Sequence, residues 1–474
     1  MTTVHQARSQ LDEKTLRQYV RDGYMHLAPT MPDGFHQELY QQVDEIFDAD
    51  GNPGNNLLPR VPMIGEILDH PQIHGALTGI LGANYIVHAH RHCHFRPPHT
   101  DAQRLHKDSW SRRHHRTRWA MLFYYPQDTT QDMGPTGVVP GSQYYNGAPA
   151  QDGEVALAGE AGTVSIVHYD LWHRGMANTT DRKRYMLKFL FARMDEPEPS
   201  HRTETNGGQT NGGQTNGFSE SDSRSTMWRS MMGWHTGRGT DASDLSAAET
   251  TRLVGRLVPG DSIPGNSDTT EADAIQAAYA LGNGGQAGHH ALLQALTQSA
   301  GKDEATRRNI GYGLAAAGEF VGDDLCKALA HEDTGIRLTA IDALADAGVG
   351  GDQVASAMRG RLNDTDEEVQ RRAAYAVGCL GPEGAQALPD LVSALQAEDE
   401  WLVRNASLAI ARHGPSAADF VPQLQASIHH PNRYVQSNVL EALRRIDTTA
   451  SKMALVDTLS VSRWCPITTT KTPY

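Results

Sequence analysis

The stretch AGTVSIVHYDLWHRGMANTTDRKRYMLKFLFARM, residues 161–194, decides how the N-terminal part of this chain folds. Two apolar runs, TVSIVHYD (163–170) and RYMLKFLFARM (184–194), flank a polar turn rich in Gly, Asn, Thr and Asp. Runs of β-branched and aromatic residues bounded by turn formers read as strands. Upstream, WAMLFYYP (119–126) and YIVHAHRHCHF (85–95) have the same character, and Pro/Gly/Asn turns separate them. The chain enters this region through LDEKTLRQYVRDGYMHLAP (11–29). There Leu16, Tyr19 and Val20 form one helical face, and Gly23 stops the helix before the strand YMHL. Several short strands at such spacing predict an all-β sandwich or jelly roll.

Beyond residue 195 the composition changes twice. EPEPSHRTETNGGQTNGGQTNGFSESDSRST contains almost no apolar residues, so it cannot offset its ordering entropy by burial and reads as a linker. From about residue 270 the chain is Ala/Leu-rich with helical periodicity. Ile336, Val369, Val403 and Val435 recur at intervals of 33, 34 and 32 residues. Each precedes a basic or amide residue and an Ala-rich stripe, then a Gly/Pro break and a second helix. Pro389 and Pro422 fall in the first turns of two such second helices. Acidic gaps supply Asp at the start of the next unit, where it caps free N–H groups. A repeated helix–turn–helix unit of this length is an α-solenoid, and the pattern resembles HEAT repeats over about 271–447. The expected organisation is a catalytic domain over 1–195, a linker over 196–225 and a helical connector over 226–270. The solenoid follows over 271–447, with a C-terminal helix and tail over 448–474.

Composition narrows the function classes. The 474 residues hold 42 Lys+Arg and 56 Asp+Glu, a formal charge of −14, which disfavours a general nucleic-acid binder. The solenoid accounts for most of it: residues 271–447 contain 24 Asp+Glu against 14 Lys+Arg, a balance of −10. No apolar run is long enough for a membrane span, and the first residues lack the apolar core of a secretory signal. Cys93, Cys326, Cys379 and Cys465 are widely spaced, without a CxxC pair, which argues against a thiolate zinc site or a disulfide framework. A reducing cytoplasm is the expected compartment.

The chemistry concentrates at His106-Lys107-Asp108. In an extended segment positions i and i+2 share a face, so one imidazole and one carboxylate can converge on a cation. His173 offers a second imidazole, and Arg184 stands eleven residues later at the head of an apolar strand. Two His and one carboxylate are the ligand set of non-haem Fe(II) oxygenases, which leaves positions open for a chelating co-substrate and O2. An Arg a strand away can clamp a distant carboxylate.

With these residues in view, residues 14–194 resemble the phytanoyl-CoA dioxygenase family of Fe(II)/2-oxoglutarate-dependent oxygenases. The resemblance rests on LRQYVRDGYMHL, LHKDSW, MGPTGVVPGSQYY and AGTVSIVHYDLWHRGMANTTDRKRY. It implies a double-stranded β-helix (jelly roll) with flanking helices. It further implies Fe(II) on His106, Asp108 and His173, and 2-oxoglutarate held by Arg184, with O2 consumed and succinate and CO2 released. In the family an Asn follows the distal His before the Arg, and His173, Asn178 and Arg184 keep that order. The rivals His168 and Arg182 break the family's eleven-residue step. The carboxylate at Asp108, absent from halogenating relatives, favours hydroxylation or a related desaturation or cyclisation. The PGSQYY turn departs from the family in ending on Gln143 rather than His.

Substrate clues lie around the H-x-D pair. Residues 88–118 hold eight His, seven Arg, one Lys and two Asp. If 113–118 is a strand, Arg116 and Arg118 share one face. With Lys107, Trp110 and Trp172 they form an electropositive mouth for an anionic substrate such as a carboxylate, phosphate, phosphonate or acyl-CoA. The alternative is a solvated loop facing acidic surface. His88, His90, His92 and His94 alternate, and read as a polar strand face near that opening. The leading expectation is thus a dioxygenase acting on a small anionic molecule. The second is a protein-modifying oxygenase, or an interaction protein, that recruits a partner or a second copy through its repeats.

Overall fold

The computed structural model describes residues 11–109, 115–197, 218, 222, 224–237, 244–257, 267–301 and 303–461. They fall into two compact units. The first holds residues 11–109, 117–194 and 457–461; the second holds 115–116 and 195–456. The low-complexity stretch expected as a linker lies almost entirely outside the described residues, as does Cys465.

In the first unit the helix Glu13–Asp22 buries Leu16, Tyr19 and Val20. Asp12 caps its N-terminus, and Gly23 closes it at φ 80°, a conformation open to glycine. Eight strands follow: β1 (Tyr24–Leu27), β2 (Tyr85–Arg96), β3 (Trp119–Tyr124), β4 (Thr136–Val138), β5 (Val155–Ala156), β6 (Val164–His168), β7 (His173–Gly175) and β8 (Arg184–Arg193). They form an antiparallel sheet of order β1-β6-β3-β8-β2 and a second of order β5-β4-β7. Met121, Phe123, Tyr125, Val138, Leu157, Val167, Leu171, Met186 and Leu190 make the core that both sheets contribute to. This is the expected jelly roll.

β8 explains why its sequence is a continuous apolar run rather than an alternating one. It lies between β3 and β2, and all ten of its residues are buried. Its register puts Arg184 opposite Arg96, Met186 opposite His94 and Lys188 opposite His92. The alternation of the His-rich strand is interrupted by an irregularity between Val87 and Arg91.

The second unit is a stack of helix pairs, as the expected α-solenoid requires. The first helices Glu304–Ala317, Thr334–Ala347, Glu367–Cys379, Glu400–His413 and Arg433–Ile446 are each capped at the N-terminus by the side chain of Asp303, Asp333, Asp366, Asp399 or Asn432. Ile336, Val369, Val403 and Val435 are buried, as their spacing requires. Pro389 and Pro422 stand in the first turns of Leu388–Ala394 and Val421–Ser427. The region read as a connector holds Ser225–Thr236 and Ala247–Arg256, and both pack against Ser267–Gly282. They extend the stack, because Met227, Trp228, Met231 and Leu253 bury an apolar face there.

Asp399 both caps its helix, accepting from Leu402 N at 2.6 Å, and pairs with Arg371 of the preceding repeat. Replacing it with alanine removes the cap and leaves Arg371, among the described residues, its two Glu partners Glu367 and Glu368. Asp399→Ala is expected to lower stability by about 1–2 kcal/mol, measured as a fall in the urea midpoint of the helical signal.

Candidate metal centre

Two short extended segments bring the imidazoles together. His106 and His173 exchange both backbone hydrogen bonds, N to O, at 2.9 Å each way across an antiparallel bridge. Directly opposed residues of this kind project their side chains to one side, and the two rings lie 4.6 Å apart, centroid to centroid. The Nδ1 atom of His106 is 2.9 Å from Arg104 O, and that of His173 is 2.9 Å from Leu171 O. A carbonyl only accepts, so each Nδ1 carries the proton and each Nε2 keeps its lone pair. Both Nε2 atoms face Asp108, at 3.7 Å from Oδ1 for His106 and 3.4 Å from Oδ2 for His173.

The three groups offer ligand atoms that all lie within 4.8 Å of one another, an arrangement that can hold a metal ion. Protonation states suit that use. Burial lowers the His106 pKa, with the His173 ring beside it adding to the effect, so the ring stays neutral. Burial alone would raise the Asp108 pKa. The close approach of His173 and the positive charge of Lys188 outweigh it and hold the carboxyl well below the usual range. Two imidazole Nε2 atoms and a carboxylate are the donor set that Fe(II) takes in two-His, one-carboxylate sites, so these residues fit the metal.

The cleft beside this group is lined by His94, Arg96, Gln103, Phe123, Thr136, Gly175, Arg184, Met186 and Lys188. Arg184 is 1% exposed, and donates through Nε and Nη2 to Gly134 O and through Nη1 to His94 O. Gly134 meets it at φ 70°, where an added Cβ would stand 2.7 Å from Met176 O. Arg96 donates to Asp101 O and Gly175 O. The described partners of both guanidiniums are carbonyl oxygens, so neither charge is met by a carboxylate, and each retains N–H groups for an anion. Arg182, the sequence rival, is exposed and away from the cleft. Asn178 is buried and donates to Arg96 O, Pro97 O and Arg182 O, tying the turn that delivers Arg184.

The residues expected at an electropositive mouth are placed as follows. β3 begins only at Trp119, so Arg116 and Arg118 do not share a strand face. Arg118 is 2% exposed, and its backbone O receives Arg193 N. Arg116 donates to Ala315 O at 3.3 Å within the second unit. Lys107 donates to Gln143 O and approaches the Trp172 ring, because strand alternation turns it away from its neighbours His106 and Asp108. Trp172 is buried with Nε1 on Tyr145 O, outside the cleft lining. Trp110 and residues 111–114 lie outside the described residues. The basic groups in the cleft are Arg96, Arg184 and Lys188. Sequence reasoning missed Arg96 and Lys188, although Lys188 had a signal: it is the lone charge inside the apolar run YMLKFLFA, at an even offset from Arg184.

Comparison with known proteins places both units. The family model for phytanoyl-CoA dioxygenase matches residues 19–186, and that for HEAT repeats matches residues 322–412. No curated protein matches the chain. Among solved structures, the non-haem monooxygenase ThoJ with nickel is 19% identical at a TM-score of 0.32, over 39% of this chain and 78% of its own. The α-ketoglutarate-dependent carbocyclase SnoK of nogalamycin biosynthesis is 18% identical at 0.34, over 40% and 87%. EctD from S. alaskensis with 2-oxoglutarate and 5-hydroxyectoine is 18% identical at 0.35, over 40% and 80%. No helix among the described residues is long and apolar enough to cross a membrane. Residues 19–186 are a phytanoyl-CoA dioxygenase domain, a non-haem oxygenase carrying a His–Asp–His group, and residues 322–412 are HEAT repeats.

Proposed function

We propose that this chain is an Fe(II)/2-oxoglutarate-dependent dioxygenase that hydroxylates a small anionic substrate. His106, Asp108 and His173 would hold the iron and Arg184 the far carboxylate of 2-oxoglutarate. The observation that carries this reading is the ligand group, its two imidazoles lining one cleft with two buried guanidiniums whose partners among the described residues are carbonyl oxygens. When bound, iron, 2-oxoglutarate and O2 supply the oxidising chemistry, with succinate and CO2 as co-products. The chain's own residues orient and shield. The carbonyls of Arg104 and Leu171 fix the tautomers of the two imidazoles. Gly134 O and His94 O aim the Arg184 fork. Phe123 and Met186 supply an apolar part of the cleft wall. Arg96 would meet the anionic group of the substrate, a carboxylate, phosphate, phosphonate or acyl-CoA.

The test is succinate release by the full chain with Fe(II) and 2-oxoglutarate across carboxylates, phosphonates, amino acids and acyl-CoAs. Substrate-dependent release with an anionic compound is expected; release only with neutral or cationic compounds rejects the anionic class. A second reading, a protein-modifying oxygenase that recruits a basic partner, draws on the HEAT repeats and their acidic balance. A chain ending near residue 200 separates the two. Retained turnover of a small molecule supports the first, and turnover that needs both repeats and a partner protein supports the second.

A further inference from the structure

Lys188 is the unusual member of the cleft. It sits in the middle of β8, its side chain 3% exposed, and its ammonium contacts Asp108 Oδ2 directly. The neighbours imposed by register leave it little freedom: His92 lies across on β2 and Phe123 across on β3. Phe123 is itself packed near the His173 ring, with centroids 6.1 Å apart. A lysine so enclosed is costly to bury unless a counter-charge meets it. Asp108 is the partner that the described residues provide.

We propose that Lys188 is a positioning residue that sets the charge of the metal centre. It is the resident counter-ion of Asp108, and it restrains divalent-cation affinity by opposing the incoming charge. This rests on the reading of His106, Asp108 and His173 as metal ligands. The physical argument is short. Without metal, Asp108 and Lys188 form a neutral pair in a buried place. A divalent cation that binds Asp108 enters beside a fixed positive charge and must share the same carboxylate with it. Like charges a few ångströms apart in a poorly solvated site repel strongly. Removing the ammonium has two consequences of the same sign: it takes away that repulsion, and it leaves an uncompensated carboxylate that the metal alone can neutralise.

A purely structural lysine predicts the opposite pattern. Its loss would lower the stability of the metal-free and metal-loaded protein alike and would leave metal affinity unchanged or poorer.

The experiment uses the full chain, freed of metal and titrated calorimetrically with Co(II) alone. Wild type, Lys188→Met, Lys188→Arg and His106→Ala are compared, each also melted with and without Co(II). Lys188→Met is expected to bind Co(II) about tenfold tighter or more. Its metal-free form should melt below wild type and gain more than wild type from the same excess of Co(II), since the stabilisation grows with the logarithm of affinity. Lys188→Arg keeps the charge and should stay near wild type. Equal or weaker Co(II) binding by Lys188→Met overturns the proposal while leaving the ligand assignment intact. Failure of wild type to bind more tightly than His106→Ala overturns both. If Lys188→Met does not fold, Lys188→Gln is titrated in its place against the same outcomes.

Discussion

Replacing His106, Asp108 or His173 with alanine is expected to abolish substrate-dependent succinate formation. Metal affinity should fall by more than about 100-fold, the upper end of the cost of losing even an outer partner of a metal ligand. The three ligand atoms lie within 4.8 Å of one another, and loss of any one leaves two donors, too few to fix the coordination geometry. Asp108→Ala carries a second penalty, because Lys188 then stays buried without the carboxylate that meets it. It should therefore melt lowest of the three. His106→Ala should be the mildest for stability, as that ring is the most exposed of the ligand set. Metal titration and a succinate assay on the same preparations check this. Wild-type turnover in any of the three would remove that residue from the centre.

Arg184→Ala is expected to raise the 2-oxoglutarate concentration for half-maximal rate by roughly 30-fold or more, from loss of a buried charge pair worth about 2–5 kcal/mol. Metal affinity should change little, since Arg184 touches no ligand. The guanidinium is buried at the head of β8, where burial lowers its pKa, and an arginine side chain keeps its charge in proteins. Arg184→Lys should recover part of the loss, because the charge returns but the planar fork that Gly134 O and His94 O aim does not. Arg182→Ala, on the exposed turn, should leave the requirement unchanged. A 2-oxoglutarate requirement that is unaffected in Arg184→Ala would shift the clamp to Arg96, the other guanidinium of the cleft.

Much of this was written into local sequence. The strand runs, the Gly23 stop, the helix repeats and their Asp caps depend on neighbours a few residues away, so periodicity and turn chemistry carry them. The H-x-D pair is likewise local: two positions apart in extended chain point the same way whatever surrounds them. The His173–Arg184 step was legible because one turn, tied by Asn178, connects β7 to β8.

What the sequence could not assign is what depends on pairing between distant segments. Within the basic cluster, Arg118 is buried and Arg116 bonds to Ala315 O, because β3 starts only at Trp119. Arg96 and Lys188 enter the cleft only through the β2–β8 register, which sets Arg96 against Arg184 and His92 against Lys188. A shift of that register by one residue would turn every one of these side chains to the other face. The sequence alone determined which residues can hold a metal, since donor chemistry belongs to the side chain. The tertiary structure decided which cations share the cleft with it, since that follows from long-range strand pairing.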